Sequence, residues 1–191
     1  MDRSRLVMIR LIFFIFIFFV SFACQSKNEL NQEVWNRLGF VLPNGLSLNP
    51  KFWSEKKSVL YFGFSHCPDM CPLTLTNFGR ASLILGERAK DFQFVFITLD
   101  PERDSPATLE KYVKNFPSKN LTALSPNVES LETLTKIFGI VKEKVGDGNS
   151  YRIDHSNFIY VLDQNQKTIK TFPGGVSANA LATELRKISE L

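Results

Sequence analysis

The chain has 191 residues, of which 44% are hydrophobic, and its formal net charge is +4. This length is enough for one globular domain with a full core and too short for two comfortable ones. Removing residues 1–23, whose processing is argued next, would take away three of the 23 basic and one of the 19 acidic residues and leave a charge of about +2. Because no run of basic residues is interleaved with aromatic ones, the composition argues against a nucleic acid or a strongly acidic partner.

The first 23 residues have the pattern of a secretory signal peptide. Three arginines stand within residues 1–10, and residues 11–20 are all apolar. An apolar core of this length is short for a membrane span, which needs about 20 residues, so a cleaved signal is favoured over a permanent anchor. In both cases we expect the folded part to lie outside the cytoplasm.

Cys24 follows directly after this segment. The sequence before it ends in Ser-Phe-Ala and resembles the lipobox at which bacterial lipoproteins are cut and acylated on the cysteine, although Ser21 and Phe22 are not the usual residues. We therefore expect a lipid anchor on Cys24, a polar tether over residues 24–36, and a location on the periplasmic side of a bacterial membrane. An uncleaved membrane anchor and a passive apolar cysteine are the alternatives.

The first predicted elements are a small hairpin, a buried strand and a helix. Residues 43–45, Pro-Asn-Gly, stand between short alternating apolar segments, which is typical of a hairpin turn. Residues 58–64 form a continuous apolar run, as in a strand that is buried on both faces. Apolar residues at helical spacing over 73–85 predict a helix of about four turns, with Pro72 tolerated in its first turn.

A second strand-and-helix unit follows. Residues 92–100 are apolar, β-branched and aromatic, which predicts another buried strand. Ser105 and Pro106 suit the N-cap and first turn of a helix, and a further helix over residues 128–138 is expected to end at Gly139. Strand, helix, strand and helix in this order predict parallel neighbouring strands that are joined by right-handed crossovers.

The last third of the chain changes character. Residues 157–163 and 167–172 flank a short polar turn and predict an antiparallel hairpin, and residues 178–188 form an amphipathic helix. A parallel half of two strands, a hairpin half and helices on both faces indicate an α/β fold. We predict a thioredoxin-like three-layer sandwich over residues 37–191, with a central mixed sheet and an N-terminal β-hairpin.

Only Cys67 and Cys71 would remain in the mature domain, too few for a disulfide scaffold. They stand where a thioredoxin-type enzyme carries its C-x-x-C motif, at the head of the helix after the first buried strand, where a helix N-terminus lowers a thiol pKa. Here three residues separate them, which on a helical turn puts both sulfurs on one face, about 5–6 Å apart at the backbone. This spacing suits a disulfide or redox couple and also two thiolates on one metal ion.

The chain has two histidines, His66 and His155. His66 is adjacent to Cys67, so joining both cysteines on one ion would require a bend in the chain. His155 comes 84 residues after Cys71, at the mouth of the strand expected beside the cysteine-bearing one, in a loop that should face the head of the helix. On the sequence alone, a hydrogen-bonded loop residue is the better interpretation of His155.

Three segments together resemble one known family. YFGFSHCPDMCP, FITLDPERDSPATLEKYVKNF and YRIDHSNFIYVLD, in this order and at these separations, are similar to the signature segments of the Sco/SenC family. Its members are copper-binding, thioredoxin-like proteins that serve cytochrome c oxidase assembly. The resemblance covers residues 37–191. Many relatives are held by an N-terminal transmembrane helix, so the expected lipid anchor rests on the signal segment alone.

The resemblance implies that Cys67, Cys71 and His155 are copper ligands. Two soft thiolates suit Cu(I), and an added imidazole also allows Cu(II), with a fourth donor that the sequence does not name. Asp69 and Asp154 are candidates for orienting the ligands, although a solvated or turn-forming aspartate is an equally good interpretation. Asp100 could be an acid near the site or a turn cap before the proline that follows it.

Two functional hypotheses follow. The first is an extracytoplasmic metallochaperone, a carrier rather than an enzyme, that binds one copper ion and delivers it to the copper-accepting subunit of cytochrome c oxidase. The second is a thiol-disulfide oxidoreductase in which Cys67 and Cys71 reduce partner cysteines before metallation. Zinc remains possible for the same donors. A peroxiredoxin-like peroxidase has little support, because residues 62–67 lack the usual approach to its nucleophilic cysteine.

Overall fold

The computed structural model describes residues 32–42, 44–118, 120–148 and 150–190. The predicted signal peptide, the acylation of Cys24 and the first part of the tether lie outside these residues. Within the described ranges, no helix is both long enough and apolar enough to cross a bilayer.

The described residues form eight strands and five α-helices. The strands are β1 Phe40–Val41, β2 Lys57–Gly63, β3 Phe92–Thr98, β4 Leu121–Pro126, β5 Lys142–Val145, β6 Arg152–His155, β7 Phe158–Leu162 and β8 Thr168–Pro173. The helices are α1 Gln32–Arg37, α2 Met70–Leu85, α3 Pro106–Val113, α4 Val128–Ile137 and α5 Ala178–Ser189, with 3-10 segments at Pro50–Ser54 and Gly86–Asp91.

Six strands form one mixed sheet in the order β1-β4-β3-β2-β7-β8. Strands β2, β3 and β4 are parallel neighbours, whereas β7 runs antiparallel to both β2 and β8. Side chains on one face pack with α2, α3 and α5, and those on the other face pack with α1, α4 and the first 3-10 segment. The predicted α/β three-layer sandwich with a mixed sheet is confirmed.

The burial of β2 and β3 explains why they were predictable. Along β2, Val59 and Tyr61 enter the core on one face of the sheet, and Leu60 and Phe62 enter the core on the other. Every residue of β3 is buried as well. A strand that is covered on both faces is apolar throughout, and that gives a continuous run in the sequence.

The predicted helix boundaries are largely reproduced. The side chain of Ser105 accepts a hydrogen bond from Thr108 N at the start of α3, as expected of an N-cap. The helix α4 is capped by Phe138 and followed by Gly139, which has a φ of 61° and so takes a conformation that glycine adopts without steric cost. The helix α3 ends at Val113.

Three features of the fold differ from the prediction. The parallel part of the sheet has three strands, because β4 was not predicted. The N-terminal hairpin is small: β1 pairs with β4, and among the described residues one isolated bridge, Val41 to Ser47, and a few backbone hydrogen bonds close the turn. The predicted tether ends too late, because α1 belongs to the folded domain and its Trp35 is 1% exposed.

The fourth difference concerns the histidine. His155 was expected in a loop, but it is the last residue of β6, which pairs antiparallel with β5. This two-stranded hairpin is separate from the six-stranded sheet. Its residues are mostly charged and exposed, so they have no apolar alternation that would have predicted strands.

Candidate metal centre

The two cysteines lie around the start of α2. Cys71 is in the first turn of the helix and is fully buried, whereas Cys67 is half-buried in the loop between β2 and α2. Both are free thiols. Gly63, the last residue of β2, leaves room for the Cys71 sulfur: a Cβ atom at this position would lie 2.9 Å from Sγ.

Strand pairing brings His155 to the same place. Strand β7 starts three residues after His155 and lies antiparallel to β2, with Ile159 opposite Tyr61. The imidazole Nε2 is 3.7 Å from the Cys71 sulfur. The edge of the ring faces Phe64, with the two ring centres 6.0 Å apart. Residues that are 84 positions apart therefore meet at the head of α2, as predicted.

A backbone contact defines the tautomer of His155. Its Nδ1 atom lies 2.9 Å from the carbonyl oxygen of Ser156. A carbonyl oxygen only accepts, so Nδ1 carries the hydrogen and donates it, which leaves a lone pair on Nε2 in the neutral ring. That lone pair is on the nitrogen beside the Cys71 sulfur. Metal-binding histidines typically have this arrangement, in which the second nitrogen is fixed by an oxygen acceptor.

The two thiols share one proton unequally. A hydrogen bond from the Cys71 thiol lowers the pKa of Cys67 from 9 to about 5, against the opposing effect of burial, with the backbone N–H groups of Cys71 and Asp69 assisting. The pKa of Cys71 is raised, because its thiol donates that hydrogen bond and because it is buried. At neutral pH, Cys67 is therefore a thiolate and Cys71 a thiol.

The donor set fits a soft metal ion. A sulfur at about 2.3 Å and a nitrogen at about 2.0–2.1 Å from one ion are separated by about 3.5–3.8 Å at tetrahedral to trigonal angles, and the Cys71 sulfur and His155 Nε2 are 3.7 Å apart. Within the described ranges, no group of three histidine, cysteine or acidic side chains already stands ready to hold a metal. Cys67 would therefore have to move to complete a site with Cys71 and His155.

The other histidine, His66, contacts residues outside the candidate metal centre. His66 is exposed, and its Nδ1 lies 3.0 Å from the hydroxyl oxygen of Ser65 and 3.6 Å from a carboxylate oxygen of Asp104. These contacts direct the ring nitrogen toward the β3–α3 loop.

The three candidate aspartates differ in their surroundings. Asp69 precedes α2, but in the described part of the chain its carboxylate makes no capping bond to the helix. Asp154 is exposed and pairs with Arg152 on its own strand. Asp100 is buried, where its carboxylate accepts hydrogen bonds from Arg103 and from the Tyr151 hydroxyl. Asp100 therefore acts in the packing of the loop after β3, as a turn residue with two partners.

Two functional neighbours were missed in the sequence. Arg103 and Asp104, in the loop between β3 and α3, contact the histidine hairpin and the cysteine loop respectively. The signal that could have found them is the segment LDPERD, in which an arginine and a second aspartate follow Asp100 by three and four residues.

Comparison with known proteins identifies the family. The SCO1/SenC family model matches residues 31–190. The chain belongs to the SCO1/SenC family. The resemblance of the three sequence segments is thereby confirmed, and the match begins near α1, in agreement with the earlier start of the folded domain.

Individual SCO1/SenC relatives agree with this assignment. An SCO2-like protein of Rickettsia typhi is 38% identical over 159 residues, which cover 82% of this chain and 78% of that protein. The solved structure of Bradyrhizobium japonicum ScoI with copper bound is 27% identical, with a TM-score of 0.71, and the match covers 78% of this chain and 96% of that one. Yeast Sco1 with copper bound is 29% identical, with a TM-score of 0.68, over 80% and 84% of the two chains.

Proposed function

We propose that this chain is an extracytoplasmic copper metallochaperone that binds one copper ion through Cys67, Cys71 and His155. The observation that carries the proposal is the 3.7 Å separation between the Cys71 sulfur and His155 Nε2, with Nδ1 engaged by a carbonyl oxygen. Two sulfurs and one imidazole form a soft donor set that suits Cu(I) and, with a further donor, also accepts Cu(II). Copper bound to solved relatives supports the choice of metal.

The two thiols have different parts in loading. Cys67 is half-buried and already ionised at neutral pH, so it is the first donor that an incoming ion meets. Cys71 is buried and protonated, so its coordination requires release of its proton. His155 presents Nε2 as its donor atom, because Nδ1 is engaged by the carbonyl oxygen of Ser156.

During delivery of the copper ion, we expect the ligands to be released in the order in which they bound, with Cys67 first. The half-buried Cys67 is the ligand that a cysteine or histidine of the recipient can displace first, and Cys71 and His155 hold the ion until the exchange is complete. The recipient we propose, on the strength of family membership, is the copper-accepting subunit of cytochrome c oxidase. The apolar N-terminal segment and Cys24 support attachment to the periplasmic side of the membrane through a lipid.

Metal analysis of the full chain tests the proposal. The protein is purified in detergent without added metal, and copper and zinc are measured per chain, before and after equilibration with Cu(I). We expect one copper per wild-type chain, and a stoichiometry well below one in Cys67→Ala, Cys71→Ala and His155→Ala. Unchanged copper binding in all three variants would refute the site, and tight zinc in place of copper would refute the choice of metal.

A second candidate function is thiol-disulfide exchange. It is favoured by the same pair of thiols, because a half-buried thiolate at Cys67 beside a buried thiol at Cys71 is the arrangement of an attacking and a resolving cysteine. His155→Ala separates the two functions. Retained exchange with lost copper binding indicates dual use, and absence of exchange in the wild type at a physiological redox potential removes the enzymatic function.

A further inference from the structure

The loop between β3 and α3 contacts the histidine hairpin through Arg103. The guanidinium donates one hydrogen bond to the Asp100 carboxylate and a second, from Nη1, to the carbonyl oxygen of Tyr151, at 2.8 Å. The Tyr151 hydroxyl donates back to the Asp100 carboxylate at 2.7 Å. Arg103, Asp100 and Tyr151 thus form a closed set of contacts, which we call the clamp.

Stacking adds to these hydrogen bonds. The Arg103 guanidinium lies over the Tyr151 ring, 3.5 Å from its centre, and the Lys144 ammonium lies over the same ring at 3.7 Å. Two cations this close to one ring centre must occupy opposite faces. The ring is therefore held between a loop residue and a residue of β5, and each contact is of the cation–π kind.

The clamp matters because the hairpin lies outside the main sheet, where its other contacts include the packing of Ile153 on the core and the exposed ion pair of Lys144 with Glu102. Strands β5 and β6 pair only with each other in the described part of the structure, and the six-stranded sheet does not include them. Tyr151 immediately precedes β6, and His155 is the last residue of that strand. Strand β7 holds the chain just after His155, and Tyr151 holds the chain at the start of β6, so both ends of the strand that carries the imidazole are fixed relative to Cys71.

The adjacent residue of the same loop holds the cysteine side of the site. Asp104 is fully buried, and its carboxylate accepts hydrogen bonds from the backbone N–H of Ser65, at 3.0 Å, and from the Ser65 hydroxyl. Ser65 lies two residues before Cys67. Neighbouring side chains of one loop thus hold the two parts of the donor set, which come from distant parts of the sequence.

We infer that Arg103 is a positioning residue for His155, acting through Tyr151 and not as a ligand. This inference rests on the proposed copper function. Loss of the clamp should leave the thiols in place and let the hairpin move, so that the third donor is lost more often and copper leaves faster.

Hydrogen exchange in the metal-free full chain tests the clamp directly, and the readout does not depend on copper. In Arg103→Gln, we expect the amides of residues 150–157 to exchange at least about tenfold faster than in the wild type, while those of 57–63 in β2 stay unchanged. Arg88→Gln is the matched control, because Arg88 pairs with Glu190 at the end of α5, and it should leave both segments unchanged.

Three outcomes decide the inference. Wild-type exchange over residues 150–157 in Arg103→Gln overturns it. If β2 also exchanges faster, Arg103→Gln is globally destabilised, and Tyr151→Phe, which loses only the hydroxyl bond to Asp100, replaces it as the test. Faster exchange confined to residues 150–157 in Tyr151→Phe supports the clamp. Wild-type exchange there overturns it. Arg103→Lys should recover part of the protection, since it keeps the charge over the ring, and full recovery overturns the role of the two hydrogen bonds.

Copper-loaded protein gives a second readout. We expect Cu(II) in Arg103→Gln to keep its thiolate charge-transfer absorption while the nitrogen splitting in the electron paramagnetic resonance spectrum weakens. Splitting equal to that of the wild type overturns the positioning role. If the wild type binds no copper, the proposed function fails, whereas the hydrogen exchange of the metal-free hairpin still tests the clamp.

Discussion

The sulfur of Cys71 lies 3.7 Å from Nε2 of His155, although 84 residues separate the two along the chain. This separation is the one expected between two ligands of a single ion. It results from the pairing of β7 with β2, which brings the residues before β7 to the edge where β2 ends. The sheet thus brings two donors together before any metal arrives.

The two histidines should differ sharply in their effect on copper. In His155→Ala we expect Cu(II) binding to lose its nitrogen ligand, because Nε2 is beside the Cys71 sulfur. His66→Ala is the matched control, since His66 contacts Ser65 and Asp104, and its Cu(II) spectrum should equal that of the wild type. Electron paramagnetic resonance measures the nitrogen splitting, and equal losses in both variants would contradict the assignment.

Cys67 should react as a thiolate well below the ordinary pKa of a cysteine. The Cys71 thiol donates a hydrogen bond to Cys67 and stabilises its charged form, which lowers the Cys67 pKa from 9 to about 5. Alkylation by iodoacetamide follows the thiolate fraction, so the rate at Cys67 in the metal-free chain should be half-maximal near pH 5. Peptide mass spectrometry follows each cysteine separately, and buried Cys71 should react slowly throughout.

Replacing the donor of that hydrogen bond provides the control. In Cys71→Ala the Cys67 thiolate loses its main stabilising contact, so its midpoint should rise toward 9. A midpoint near 9 in the wild type would show that the two thiols are not coupled.

Gly63→Ala should disturb the packing around the Cys71 sulfur. The new Cβ would lie 2.9 Å from the Cys71 sulfur and 3.0 Å from the Phe96 ring, so one of them must move. We expect a loss of about 1–3 kcal/mol in the free energy of unfolding, measured by chemical denaturation. Gly175→Ala is the control, because among the described residues nothing lies within 4 Å of its Cβ position, and it should change stability by less than about 0.5 kcal/mol. Equal effects would argue against close packing at Gly63.

Trp35 tests where the folded domain begins. Its ring is 4.1 Å from that of Trp53, centre to centre, and it is 1% exposed. Trp35→Ala should therefore cost about 3–5 kcal/mol of unfolding free energy. Leu46→Ala, at a residue 63% exposed, should cost less than about 0.5 kcal/mol. If Trp35→Ala were as harmless as Leu46→Ala, the segment before Arg37 would be a tether after all.

The parts of the fold that could be predicted are those that are buried on a regular pattern. Strands β2 and β3 and the helix α2 have continuous or helical apolar spacing because they lie in the core. The strand β4 was missed, because LTALSP is short, half-buried at its start and ends in proline. The helix α1 was missed because a single tryptophan is its one fully buried residue among those whose side chains are described.

The candidate site was predictable only in part. The cysteines could be predicted as a site from their spacing. The histidine was chosen through the family resemblance, because a polar hairpin outside the main sheet has no sequence pattern that reveals its position. The clamp was not predicted for a similar reason. Arg103 and Asp104 lie in a loop, and loop contacts between distant segments depend on a fold that periodicity does not specify.

Copper K-edge X-ray absorption of the Cu(I)-loaded full chain, compared with His155→Ala, tests the central claim most directly. With one copper per chain, we predict two sulfur neighbours at about 2.3 Å and one nitrogen neighbour at about 2.0 Å, and loss of the nitrogen alone in the variant. A wild-type spectrum with sulfur neighbours only, or one that His155→Ala does not change, would contradict a site made of Cys67, Cys71 and His155.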